Sequence, residues 1–212
     1  MPRKLELIQR SERSAATHRT LGKFPEDYLL YFNRACYAIR AIKPFVSPDI
    51  LRSVYFSYFH SVMSYGVIFW GNAYFNDNIF KIQKRVIRII ANKGKRDSCR
   101  NLYNQLQILT LSSQYIYIHC FVIKHRDMFM FNSEIHDRNN RFNHDLHLPN
   151  TNLALTQRGV FYSGSRIYNY LPSYIKCLSK EFKQFKKKLK LFLFEYSYYS
   201  LEEFYRATSV LP

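Results

Sequence analysis

The chain of 212 residues carries 32 Lys and Arg against 15 Asp and Glu, a net charge of +17, with 47% hydrophobic residues and 18 each of Tyr and Phe. That apolar share supports a packed core and excludes disorder throughout, while six Gly and seven Pro are too few for the frequent turns of an all-β chain. The charge excess goes beyond what solubility requires and points to a polyanion, nucleic acid in preference to a membrane surface, because the cations lie on several segments instead of one juxtamembrane cluster.

Residues 1–23 are polar and charged without sustained apolar periodicity, and are expected to form a flexible basic arm. From Tyr28 to Lys43, Leu29, Phe32, Cys36, Ile39 and Ile42 recur at helical spacing until Pro44 stops the run. Ser47-Pro48-Asp49 is a compact helix start, with a capping hydroxyl, a proline where no N–H is needed and a carboxylate at the positive dipole end, so a helix is predicted from Pro48 to about Ser64.

Between Ser53 and Asn76 there is no formal charge, and Val54 to Trp70 is long enough to span a bilayer. Against spanning, residues 53–76 contain His60, four Ser and four Tyr, and Ser64-Tyr65-Gly66 interrupts them. A core helix followed by a connector over 65–74 is preferred to a membrane span or a short strand.

Asn76 is expected to cap the next helix, which reads DNIFKIQKRVIRIIAN and ends before Gly94. Helices are predicted at about 98–107 and 111–131. Residues 132–157, rich in Asn, His and Asp, read as a loop or linker. Short segments at 162–170 and 172–178 lead to Ser179, expected to cap a helix from Lys180 to about Tyr196. The fold class is therefore mainly α with little or no sheet: a helical bundle over 24–131, the linker 132–157, and a smaller helical unit over 158–212.

On the helix after Asn76, Ile79, Ile82, Val86, Ile89 and Ile90 fall on one side and Lys81, Lys84, Arg85 and Arg88 on the other. The following loop adds Lys93, Lys95, Arg96 and Arg100. A solvated face usually mixes signs to form i,i+4 pairs, whereas like charges in a stripe repel and call for a counter-charge such as a row of phosphates. Lys183, Lys186, Lys187 and Lys190 form a second patch with Lys176, Lys180 and Lys188, opposite Phe182, Phe185, Leu189, Phe192 and Leu193. Its lysines suit attraction to a backbone better than bidentate reading of bases. Tyr28, Tyr31, Tyr103 and Tyr162 are conceivable stacking platforms, although most aromatics must fill the core.

Catalytic signals are missing. The seven Asp stand singly, without the paired carboxylates that hold two divalent cations in polymerases and nucleases, and there is no phosphate-cradling Gly-rich loop or Gly-x-Ser-x-Gly elbow. His136, His144 and His147, with Asp137 and Asp145, are the best metal candidates, with His119, Cys120 and His125 able to complete a site in space. A second close pair of ligands is lacking, so a hydrogen-bonded loop is the ordinary reading and no cofactor is expected. Cys36, Cys99, Cys120 and Cys177 are too scattered for a disulfide framework, which implies a reducing compartment, nucleus or cytoplasm.

In order along the chain, FNRACYAIRAIKPFVS, VYFSYFHSVMSYGVIFWGN, IFKIQKRVIRII, KRDSCRNLYNQLQIL, NSEIH, LHLPNTNLALTQRGVFYSGSRIYNYLPSYIK and FKKKLKLFLFEYSYYSLEEFY resemble the C-terminal region of jockey-like non-LTR retrotransposon reverse transcriptases, from about Tyr28 to Tyr205. The resemblance implies a thumb and C-terminal extension that hold RNA template and primer strand, working beside a palm whose aspartates lie upstream. It further implies a truncated element copy without its own polymerase centre or endonuclease, able to grip RNA, DNA or their hybrid and to meet the palm of an intact element protein. Two alternatives stand beside it: a relic without independent activity, and a metal-dependent nuclease using the His/Asp loop.

Overall fold

The computed structural model describes residues 24–73, 75–119, 125, 128–135, 143, 145–148, 157 and 159–209, so the arm 1–23 lies outside the described residues. The fold is mainly α-helical, as its composition demands; the described residues contain one isolated antiparallel bridge, Phe131 with Leu146, and no strand. None of their helices is long and apolar enough to cross a membrane. Two compact units result, one of 21–115 with 191–199 and one containing 116–190 and the residues from Ser200 onward.

The first unit begins with α1 (Phe24–Ile42), continued by a 3-10 turn over Lys43–Phe45. Ser47 caps α2 (Pro48–Val54) through its hydroxyl, which accepts from the Ile50 N–H, with Asp49 in the first turn. The helix does not stop there: it widens into a π segment, Tyr55–His60, and resumes as α3 (Ser61–Ser64). Tyr55 and Phe59 are stacked with centroids 5.3 Å apart, and Phe59 lies against Phe32 of α1 at 4.7 Å. The uncharged stretch thus contributes Tyr55, Phe59, Met63, Val67 and Trp70 to the core. The connector contains one helical turn, α4 (Val67–Trp70), entered through Gly66 at φ 66°, a left-handed conformation that suits glycine.

The next helix, α5 (Asn76–Ile90), buries Ile79, Phe80, Ile82, Val86, Ile87 and Ile90 on its inner face. Two expectations about its ends are corrected. The N-cap is Phe75, without a side-chain cap, because the Asn76 amide donates instead to the Gly71 carbonyl. The helix ends at Ile90, and Asn92 rather than Gly94 takes the left-handed turn at φ 53°, so that the Lys93 N–H reaches the Arg88 carbonyl. Gly71 lies so close to the Tyr115 ring that a Cβ there would occupy the same space as the ring.

Gln83, fully buried on α5, ties the unit together. Its amide donates to the Tyr55 hydroxyl and the Leu109 carbonyl, both at 2.9 Å, and its oxygen accepts from the Leu111 N–H at 3.0 Å and the Tyr103 hydroxyl at 3.4 Å. Tyr103 belongs to α6 (Arg100–Gln105), and Leu111 begins α7 (Leu111–Ile118). Burial pushes the Tyr55 phenol well up from its ordinary value, opposed in part by the Gln83 hydrogen bond, and raises that of Tyr103 also.

In the second unit, backbone hydrogen bonds join 130–133 to 143–147: Asn132 N–H to Asp145, and His147 N–H to Met130. They flank α8 (Asn132–Ile135). Asn169, the last residue of α9 (Val160–Asn169), accepts from the Leu146 N–H and donates to its carbonyl, both at 2.8 Å, pairing with that peptide as a neighbouring strand would. Lys176, at the end of α10 (Ser173–Lys176), pairs with Asp145 at 3.0 Å.

Ser179 lies inside a 3-10 turn, Cys177–Lys180, so it does not cap α11 (Phe182–Tyr196), which begins later than its sequence suggested. A further helix, α12 (Leu201–Thr208), was not anticipated. Ser200 accepts from the Glu203 N–H at 3.1 Å, and Ser200-x-x-Glu203 is the pattern that announces it.

Candidate nucleic-acid interface

Gln83 holds one side of α5 inward, and residues two before and two after it lie about 200° round the helix, facing out. Those residues are Lys81 and Arg85, both exposed and without a hydrogen bond or ion pair among the described residues. Lys84 and Arg88 are half-buried: the Lys84 ammonium lies over the rings of Phe80 at 4.5 Å and Tyr199 at 5.3 Å, and Arg88 Nε donates to the Asp97 carbonyl at 2.8 Å. Arg100 covers Tyr199 at 4.3 Å and donates to the Tyr196 carbonyl. These three cations support the fold as well as carrying charge.

The loop after α5 adds exposed Lys93, Lys95 and Arg96. Its one acid, Asp97, accepts from the Gly94 N–H at 2.9 Å, so its carboxylate is engaged by the loop's own backbone. Five exposed cations, Lys81, Arg85, Lys93, Lys95 and Arg96, therefore share α5 and its C-terminal loop.

Two buried thiols report what flanks this edge. Burial pushes Cys36 of α1 up, opposed by Arg40 and Arg85, and burial likewise raises Cys99, opposed by Arg88 and Lys84. Arg85 thus lies toward α1, and Lys84 and Arg88 toward the 97–100 segment. Lys43 Nζ donates to Asn92 Oδ1 at 2.7 Å. The two pairings, Cys36 with Arg85 and Lys43 with Asn92, are seven residues apart on each side, so α1 and α5 run alongside each other in the same direction. Arg40 was missed from the sequence; its position one turn after Cys36 was the available clue.

No protein-family model, curated protein or solved structure matches this chain. The other candidates stand as follows. Lys183, Lys186, Lys187 and Lys190 are exposed on α11, in the second unit; the Lys186 ammonium lies 5.5 Å from the Tyr117 ring, and that of Lys188 5.7 Å from Tyr174. Lys176 is committed to its ion pair with Asp145.

Among the proposed stacking residues, Tyr103 is fully buried, Tyr28 packs against Trp70 at 5.9 Å, and the Tyr31 hydroxyl donates to the Tyr58 carbonyl. Tyr162 is half-buried. The most exposed aromatic residues are others: Tyr37 at 73%, Tyr65 at 76% and Phe45 at 85%. His136, His144 and Cys120 lie outside the described residues, whereas His147 is half-buried, His125 exposed and His119 buried. Among the described residues no three His, Cys, Asp or Glu side chains cluster as metal ligands. Cys36, Cys99 and Cys177 are free thiols, the first two buried.

Proposed function

We propose that the chain binds the backbone of RNA, DNA or their hybrid through the exposed edge of α5 and its loop, as the thumb of the resembled reverse transcriptases grips template and primer. The observation that carries this reading is the set of five exposed cations, Lys81, Arg85, Lys93, Lys95 and Arg96, beside a single loop acid already engaged by Gly94. Such like charges repel one another and are relieved by phosphates. From Lys81 to Arg88 the helix rises about 10 Å, roughly three nucleotide steps of one strand. The role is one of grip and not of catalysis: Asp49 and Asp77 occupy first turns of helices, and Asp97 closes a loop.

The test is binding of a fluorescent duplex to the full chain across a salt series. Five phosphate contacts give a log–log slope of about −4 to −5, and replacing Lys81, Arg85, Lys93 and Lys95 together by Gln reduces its magnitude by about 3 to 4. A flat salt response, or an unchanged slope in the quadruple variant, refutes the proposal.

A relic without activity of its own is the second reading, favoured by large apolar side chains left in solvent, Phe45 at 85% and Ile50 at 50% exposed. Cooperative denaturation of the full chain counts against it.

A further inference from the structure

The cationic edge does not end at α5. Cys36 is buried beside Arg85, and Arg40, one turn later on α1, acts on the same sulfur, so Arg40 lies at the rim where α1 meets α5. Rotating round α1 away from that contact, Tyr37 comes about 100° after Cys36 and Arg34 about 60° beyond Tyr37. Tyr37 is therefore flanked by two exposed arginines, each three residues away, on the side of α1 next to the α5 edge. Tyr37 is 73% exposed and makes no hydrogen bond or ring contact among the described residues.

An aromatic side chain left in water between two guanidinium groups is costly in apolar exposure and offers nothing to the core. It is suited to the flat face of a base, with the arginines holding the phosphates on either side. Bases inside a duplex are already stacked, so the ring suits one that has left the helix. We propose, resting on the backbone-binding reading above, that Tyr37 with Arg34 and Arg40 forms a stacking site for an unpaired nucleotide where a single strand leaves a duplex held on α5. The preferred ligand is thus a duplex with a single-stranded extension.

The experiment compares the full chain on a blunt DNA duplex and on the same duplex with a single-stranded extension, for wild type, Tyr37→Ala, Tyr37→Trp and the double variant Lys81→Gln, Arg85→Gln. Wild type and Tyr37→Trp are expected to prefer the extended duplex by about tenfold, the size of one base–aromatic stack. Tyr37→Ala abolishes the preference and leaves the blunt-duplex affinity unchanged. The exposed position of Tyr37 keeps that substitution from disturbing the fold.

An undiminished preference in Tyr37→Ala, or an equal loss on both probes, overturns the stacking site. If the double variant binds both probes as wild type does, the backbone reading fails; if it weakens both while Tyr37→Ala keeps the preference, only the stacking site fails. Phosphatidylserine vesicles form the last arm. Tyr37-dependent binding to them, with none to the extended duplex, would assign the surface to a membrane and overturn the proposal.

Discussion

Replacing Gln83 by Leu removes four hydrogen bonds from a fully buried position while keeping an apolar side chain of similar reach. The Leu109 carbonyl and the Leu111 N–H lose the amide that serves them, and each such buried group costs about 1–3 kcal/mol when unserved. The Tyr55 and Tyr103 hydroxyls lose a partner too, although they can rotate toward each other. The total is about 3–5 kcal/mol, a third or more of the stability of an ordinary domain. Trp70, the chain's single tryptophan, is buried in the same unit, so urea denaturation followed by its fluorescence reads the loss directly. A cost below about 1 kcal/mol would refute the argument that Gln83 organises this core. Gln83→Glu supplies a control. It keeps an acceptor for Leu111 but buries a charge at neutral pH, so its stability should recover on acidification.

Alkaline pH acts on the same core. Burial raises the Tyr55 and Tyr103 phenols above their ordinary 10.0 and the Cys36 and Cys99 thiols above 9.0. With folded values above unfolded ones, this stability is complete below the unfolded values and lost as pH rises toward the folded ones. The urea midpoint should therefore hold from neutrality to pH 9.0 and fall beyond it, steeply past 10.0; a flat profile to about pH 11 contradicts the burial argument. At the other end of the chain, Ser200→Ala removes the acceptor for the Glu203 N–H and should cost about 1 kcal/mol, with Ser200→Asp restoring most of it. Equal stability of Ser200→Ala and wild type in thermal denaturation would show that the cap contributes nothing.

The helix expected over about 111–131 is found only as Leu111–Ile118, with His119 and His125 in turns and 128–131 outside any α-helix. The helices over Phe24–Ile42 and Asn76–Ile90 and the Ser47-Pro48-Asp49 start were legible because their signals act locally. The π segment was not: one extra residue per turn at Tyr55–His60 leaves no mark in composition, and is set by how Tyr55 and Phe59 stack inside the core. Asn76, Asn92 and Ser179 show a common limit. Each has the chemistry of a cap, and tertiary partners or neighbouring turns decide which position uses it.

The basic residues of α5 were visible as a group, but their division was hidden, because Lys84 and Arg88 are drawn aside by Tyr199 and Asp97, both distant along the sequence or across a turn. Arg40 and Tyr37 were missed for a related reason. Their helix carries its charges sparsely, and only the pairing of α1 with α5 around Cys36 makes them neighbours of the exposed edge.

The contact between Gly71 and Tyr115 bears on how this sequence can change over generations. Gly71 has ordinary helical angles, and what forbids a larger residue is space, which the Tyr115 ring and the Val67 carbonyl oxygen already fill. A larger residue at 71 therefore needs both a smaller side chain at 115, which taken alone opens a hole in the core, and a shift of the Val67 carbonyl. Order matters on this path, and the shorter route runs through a less stable ancestor. Lineages descending from this chain should therefore keep Gly71 and Tyr115 together.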